Sequence, residues 1–235
     1  MATFLLLGLT SSAQNISPEI LSKTERWKKE IYSKYPSRRL SLDNLSKLDF
    51  SSFWVKEYQF GYIGTNYQRM YMTFKKVRKV SATEYHVSGF SSVKNNYCDF
   101  TGRFKIVELD QLTSRPPDGI AKEGYIFAEF IIDENPQQKS TGIFRGTLMT
   151  YWYTSQNGGV KFDYLGGEDH GYNNLFIGEW TSYNNGAVKP VGWGLGAIPL
   201  AEGILYEGDC EICISSKYYN NGWSDFEKCG SHSSR

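Results

Sequence analysis

The residues with the widest chemical scope are the four cysteines and three histidines. Cys210 and Cys213 stand ahead of Cys229 and His232 in a C-x2-C-x15-C-x2-H array, a spacing within the range of zinc ribbons. Several features count against zinc. Glu211 and Ile212 offer no glycine for the tight turn of a zinc knuckle, and Ile214 continues as a strand would, which sends Cys210 and Cys213 to opposite faces. His232 lies in a tail of small polar residues, 230–234, where order is least expected. The expectation is no metal and no cofactor, with free thiols and a disulfide from Cys229 to Cys210 or Cys213 both left open. Cys98 is expected to face the core.

His170 sits in a polar loop, 166–171, of a kind that can hold a functional group. Neither it nor His86 has a nucleophile and an orienting acid recognisable in sequence. There is no G-x-S-x-G, no H-E-x-x-H and no G-x-x-x-x-G-K, so the local signatures of serine hydrolases, zinc peptidases and phosphate-loop enzymes are missing. Glu129 interrupts an apolar run and Glu179 precedes Trp180. A carboxylate pair straddling a sugar is the arrangement of a glycoside hydrolase, which makes a secreted hydrolase the enzymatic alternative. The leading expectation is not an enzyme.

Aromatic residues are 16% of the chain, with 17 Tyr, 14 Phe and 6 Trp. Rings favour strands, fill cores and stack on ligands. Trp152 and Trp180 share the parity of an inward-facing row that also holds Phe104. These three are the candidate ligand-binding residues, for a small apolar or glycan-like molecule. With 26 Lys and Arg against 25 Asp and Glu, the formal charge is +1, so no global field draws the protein to nucleic acid or to anionic lipid.

The scaffold that must position these rings reads as mainly β. Ser17, Pro18 and Glu19 make a strong helix start. Ile20, Thr24, Trp27, Ile31 and Tyr35 then recur on one helical stripe, expected to dock on the β domain. Pro36 ends the helix. A wrap of uncertain form, with Leu40, Leu42, Leu45, Leu48 and Phe50, completes a segment spanning 14–50. From there the period is two. The clearest strand is 97–108, where Cys98, Phe100, Phe104 and Ile106 alternate with Asp99, Thr101, Arg103 and Lys105. Others are expected at 69–80, 83–90, 125–132, 142–154, 160–165, 175–183 and 204–215, with Asn-, Gly- and Pro-rich turns between them. No helical pattern intervenes, which favours an antiparallel meander. Phe-x-Gly recurs at Phe100, Phe144 and Phe176. An inward ring followed by a same-face glycine lets a coiled strand bend. The expected domain is thus a single antiparallel β-barrel over 51–235.

The stretch from Phe176 to Tyr183, with Gly178, Glu179 and Trp180, looks like the Gly-x-Trp strand of lipocalin-like (calycin-like) barrels, here in the last third of the chain. The chain as a whole resembles secreted bacterial proteins of unknown function that are thought to share such a barrel. The resemblance implies a barrel that holds a ligand or a protein partner and brings no catalytic residue with it.

Residues 1–13 read as a signal peptide: an apolar core from Phe4 to Leu9, then small residues with Ser11 and Ala13 at the −3 and −1 positions. The expected address is outside the cytoplasm: periplasm, cell surface or medium. No stretch is expected to span a membrane. A structural envelope protein that merely presents loops is the remaining reading, and oligomeric state is left open. One expectation is direct. The intact mass of protein recovered from an exported fraction should begin at Gln14, and a mass that includes Met1 would remove the signal reading.

Overall fold

The computed structural model describes residues 16–55, 59–156, 158–163, 173–201, 205–208 and 211–228. Residues 1–13 lie outside this range, as do His170, Cys210, Cys229 and His232.

Helix α1 (Pro18–Lys34) starts where the local chemistry says it should. The Ser17 hydroxyl accepts the Ile20 amide and Pro18 takes the first position. Strand β1 (Ser37–Arg39), a 3-10 turn at Leu42–Lys47 and a one-turn helix α2 (Ser51–Trp54) follow. Then come β2 (Gln59–Ile63), β3 (Gln68–Lys79), β4 (Glu84–Val93), β5 (Asn96–Leu112), β6 (Ile120–Glu134) and β7 (Gly142–Ser155). After these come β8 (Val160–Phe162), β9 (Asn173–Ser182) and β10 (Val188–Leu195). No helix among the described residues is long and apolar enough to cross a membrane.

Strands β2 to β7, β9 and β10 form a closed barrel of eight antiparallel strands, each paired with the next and β10 returning to β2. Closure leaves no open edge. The expected mainly-β, single-barrel architecture behind a short helix is what the chain adopts. Strand β8 extends the place of β9 along β7. The Asn173 side chain bridges the gap between them, accepting the Tyr151 amide at 2.8 Å and donating to Tyr151 O and Asp163 O. An amide side chain thereby replaces one missing rung of the ladder.

The barrel interior is packed with rings. Phe176 stacks on Trp193 at 4.5 Å, and Phe74 on Phe176 at 5.8 Å. All three Phe-x-Gly phenylalanines lie in this core. Ring and glycine alternate across strands as well as along them: Gly61 faces Trp193, Gly89 faces Phe100, Gly124 faces Trp152 and Gly146 faces Phe130. A Cβ at Gly146 would lie 2.7 Å from Phe130 Cζ, so the ring occupies the space a side chain would need.

One end of the barrel is plugged by α2. Trp54 reaches between Tyr85 and Phe104 at 5.0 and 5.1 Å. Its indole N–H donates to Thr150 Oγ1 at 3.0 Å, the Thr150 hydroxyl donates to Asn174 Oδ1 at 3.0 Å, and Asn174 Nδ2 donates to Phe53 O at 2.7 Å. This chain ties the plug to β7 and β9 with every member partnered. The wrap of uncertain form is therefore a lid: Leu45 and Phe50 are fully buried, and Lys79 Nζ donates to the carbonyls of Leu45 and Leu48.

Outside the barrel, α1 lays Trp27 and Ile31 over Tyr125, Phe127, Met149 and Tyr151, so the Trp27 stripe docks as expected. β6 and β7 are covered on both faces there, which is why the run from Tyr125 to Ala128 does not alternate. Glu108 accepts from Lys28, Tyr32 and Arg39 and pins the helix at the far end. The segment 204–215, expected as one barrel strand, is instead two. β11 (Leu205–Gly208) and β12 (Glu211–Ile214) pair antiparallel in a separate small sheet with β13 (Glu227–Lys228). The following turns bury Trp223 beside Tyr62 and Ile198. They are held by Arg69, only 8% exposed, which donates to Gly222 O and Asp225 and lies 4.6 Å from the Phe226 ring.

Two substitutions test the plug. Thr150→Val removes an acceptor and a donor from a buried chain and should cost about 1–3 kcal/mol. Trp54→Ala empties the barrel end and should cost about 3–5 kcal/mol in a denaturant titration.

Candidate functional site

At the opposite end of the barrel no element among the described residues covers the interior. The mouth is a recess of about 780 Å³ bounded by Ile63, Gln68, Val93, Cys98, Phe144 and Trp180, with Glu134 and Ser91 at its base. Its rim is formed by the hairpin turns around Asn66 and Asn95 and by the loop at Ser140. Tyr67 and Lys94, in the two short hairpin turns, have left-handed backbone (φ 51° and 55°), as tight hairpin connections require, and Ser140 in the longer β6–β7 loop does too (φ 56°).

Glu134 ends the inward row of β6 that begins with Ile126, Ala128, Phe130 and Ile132. It is 3% exposed. Its two carboxylate oxygens accept three donors: the Ser91 hydroxyl on Oε1, with Trp180 Nε1 and the Gly142 amide on Oε2, the latter two each at 2.8 Å. Burial pushes its pKa above the ordinary carboxylate value, and the three donors pull back against that shift. The Trp180 indole is held in turn. Gly142 makes room for it, since a Cβ there would lie 2.6 Å from Trp180 Cε2. Lys189 Nζ stands 5.2 Å from the ring centroid on the rim side. The result is an indole fixed in orientation at the floor of an open recess, beside a buried carboxyl group.

Cys98 lies opposite Ser91 in the ladder and receives a hydrogen bond from Asn96 Nδ2 at 3.1 Å. Burial, and secondly the nearby Glu134 charge, push its thiol up, which makes it a poor nucleophile. It is the free cysteine of the described residues, whereas Cys213 is disulfide-bonded. A sulfur so engaged is not available to zinc. No cluster of three or more metal-ligating side chains occurs among the described residues.

The three candidate ligand-binding residues occupy different places. Trp180 lines the mouth, itself buried to 6% exposure. Phe104 is fully buried mid-barrel against Trp54, Phe74 and Phe176. Trp152 is buried in the plugged half, opposite Phe162 and Gly124. Glu129 and Glu179 are also kept apart. Glu129 faces Lys105 on the outer wall. Both oxygens of Glu179 accept the Ser17 amide, at 3.2 and 3.1 Å, beneath the start of α1, where a carboxylate also meets the positive end of the helix dipole. The residue that sequence reading passed over is Glu134. Its signal was phase: Glu129 is out of step with the inward row, while Glu134 is in step with it.

Comparison of the chain with protein-family models, with curated proteins and with solved structures gives no match in any of the three.

Glu134 yields a prediction with a definite sign. Because its folded pKa is raised, the stability it contributes is full below its unfolded value of about 4.3 and is lost as pH rises through the folded value. Glu134→Gln cannot ionise and keeps groups able to pair with Ser91, Trp180 and Gly142. It should therefore become more stable relative to the wild type as pH is raised from about 4 to about 7. Paired denaturant titrations at the two pH values check this. Glu134→Leu should be destabilised by at least about 2 kcal/mol at both, because three buried donors lose their acceptor.

Proposed function

We propose that this protein is a non-catalytic, exported binding barrel that takes a small, partly apolar or glycan-like molecule in its open mouth. The observation that carries the reading is the Trp180 indole, locked by Glu134 and Gly142 at the floor of a recess of about 780 Å³. That volume lies in the range of small-molecule sites, and a site needs just such an apolar surface with a few convergent polar groups. A ring already held in place loses little entropy when a ligand stacks on it. The Asn66 side chain and the amide oxygens of Gln68 and Asn96 along the wall supply polar groups that would set the ligand's orientation.

The non-catalytic part of the reading rests on the same geometry. Both Glu134 oxygens are engaged by protein donors, the Cys98 thiol is held neutral, and no histidine is among the described residues lining the mouth. Export is supported by the apolar N-terminal segment and by the disulfide at Cys213, since oxidised cysteines persist outside the cytoplasm. Membership among the calycin-like secreted bacterial barrels is part of the same proposal. The closed antiparallel barrel supports it.

Native mass spectrometry of protein purified from its exported fraction, without reductant, is the test. A small organic adduct should be seen on the wild type and should bind about tenfold more weakly to Trp180→Ala, the loss expected for one aromatic stacking surface. A bare mass, or an adduct retained equally by Trp180→Ala, overturns the reading.

A further inference from the structure

A second feature lies on the outer wall, away from the mouth. In the ladder Arg78 of β3 faces His86 of β4, His86 faces Arg103 of β5, Arg103 faces Ile131 of β6, and Ile131 faces Arg145 of β7. From β3 to β7 one cross-strand row thus carries three arginines and a histidine, and its first acid is Glu179 of β9, which faces Arg145 and whose carboxylate accepts the Ser17 amide. The next row toward the mouth adds Lys76, Ser88, Thr101, Asp133 and Ile143. Together the two rows bound a shallow recess of about 730 Å³.

Like charges set on adjacent strands destabilise a sheet, so such a row needs a reason. The row on its other side shows the usual solution: Glu84, Lys105 and Glu129 face one another with alternating sign. Two arginines elsewhere on the protein are paired with acids, Arg39 with Asp110 and Glu108 and Arg69 with Asp225. Arg78, Arg103 and Arg145 have no ion pair or hydrogen bond among the described residues. Ile131 and Ile143 form an apolar floor between them, and Ser88 and Thr101 bring hydroxyls alongside.

We propose that this wall binds a linear acidic glycan, one bearing carboxylate or sulfate groups. The arginines stand on every second strand, so their positions repeat about every 10 Å across the wall, close to the length of two linked sugar rings. A chain with one acidic group per pair of sugars would present an anion to each guanidinium fork, which takes carboxylate or sulfate through two parallel hydrogen bonds. Ser88, Thr101 and Asp133 can meet sugar hydroxyls between those anchors. Two other polyanions fit less well. A flat anionic bilayer cannot follow a recess, and neither row holds a Phe, Tyr or Trp on which nucleobases could stack.

The test measures binding of the full chain, at physiological salt, to a heparin-derived oligosaccharide and to an alternating uronate oligosaccharide. Single-stranded oligothymidylate and phosphatidylglycerol vesicles are the competing probes. An acidic oligosaccharide should bind best. Arg103→Gln should weaken it about tenfold, the loss of one charge-assisted bidentate contact. The combined Arg78→Gln, Arg103→Gln, Arg145→Gln variant should abolish it, while Lys105→Gln, already balanced by Glu84 and Glu129, should leave it within about twofold. Because the row repels itself, Arg103→Gln should melt no lower than the wild type. The proposal is overturned by absence of glycan binding, or by tighter binding of oligothymidylate or vesicles. It is equally overturned by equal weakening in Lys105→Gln, or by a lowered melting temperature of Arg103→Gln. The mouth adduct should persist on the triple variant, which separates this site from the one proposed at the mouth.

Discussion

A closed ring of eight strands encloses a fixed girth, and its interior must be filled at the density of a molecular crystal. In this protein rings do the filling, with glycine set opposite them. The pairs Gly61–Trp193, Gly89–Phe100, Gly124–Trp152 and Gly146–Phe130 let bulky rings lie against the neighbouring backbone without widening the barrel. Such pairs also fix register, because a one-residue slip would place a side chain where a ring must sit. The stack of Phe74, Phe176 and Trp193 at the centre is the product of that arrangement.

The two barrel ends solve the remaining problem in opposite ways. At one end α2 inserts Phe53 and Trp54, and the polar groups this buries are matched in sequence: Trp54 to Thr150, Thr150 to Asn174, Asn174 to Phe53. At the other end no element covers the interior among the described residues, and the last inward position of β6 is a glutamate rather than an aliphatic residue. Glu134 is tolerated there because Ser91, Trp180 and Gly142 surround it with donors. The same bonds that satisfy the carboxyl group hold the indole still, so a requirement of stability also builds a rigid recognition surface.

The outer wall is divided just as sharply. Where α1 and the turns after β12 cover it, outward positions are Tyr, Phe and Met and the barrel is apolar on both faces. Where it is bare, outward positions are charged, and the row of Glu84, Lys105 and Glu129 alternates in sign. The stretch from Arg78 through His86 to Arg103 faces no acid in the ladder, unlike Lys28 and Arg39, which anchor α1 and β1 through Glu108 and Asp110.

Whatever rests on neighbours in the chain was legible in the residues themselves. Ser17 and Pro18 start α1 because a cap needs only local groups, and 97–108 is a strand because alternation is local. Phe100, Phe144 and Phe176 face inward because each shares parity with its glycine. Other features depend on partners far along the chain. β10, not among the expected strands, carries Pro190, Gly192 and Gly194, residue types depleted in strands, yet its pairing with β2 closes the barrel. The leucine-rich wrap before α2 became a lid, and Phe104 fell mid-barrel and Trp152 in the plugged half while Trp180 reached the mouth. Parity says which face a side chain takes but not how far along the barrel axis it lies; only the register of eight strands decides that. For the same reason Glu134 acquires its donors, and Arg78, Arg103 and Arg145 acquire one another, only when the sheet closes.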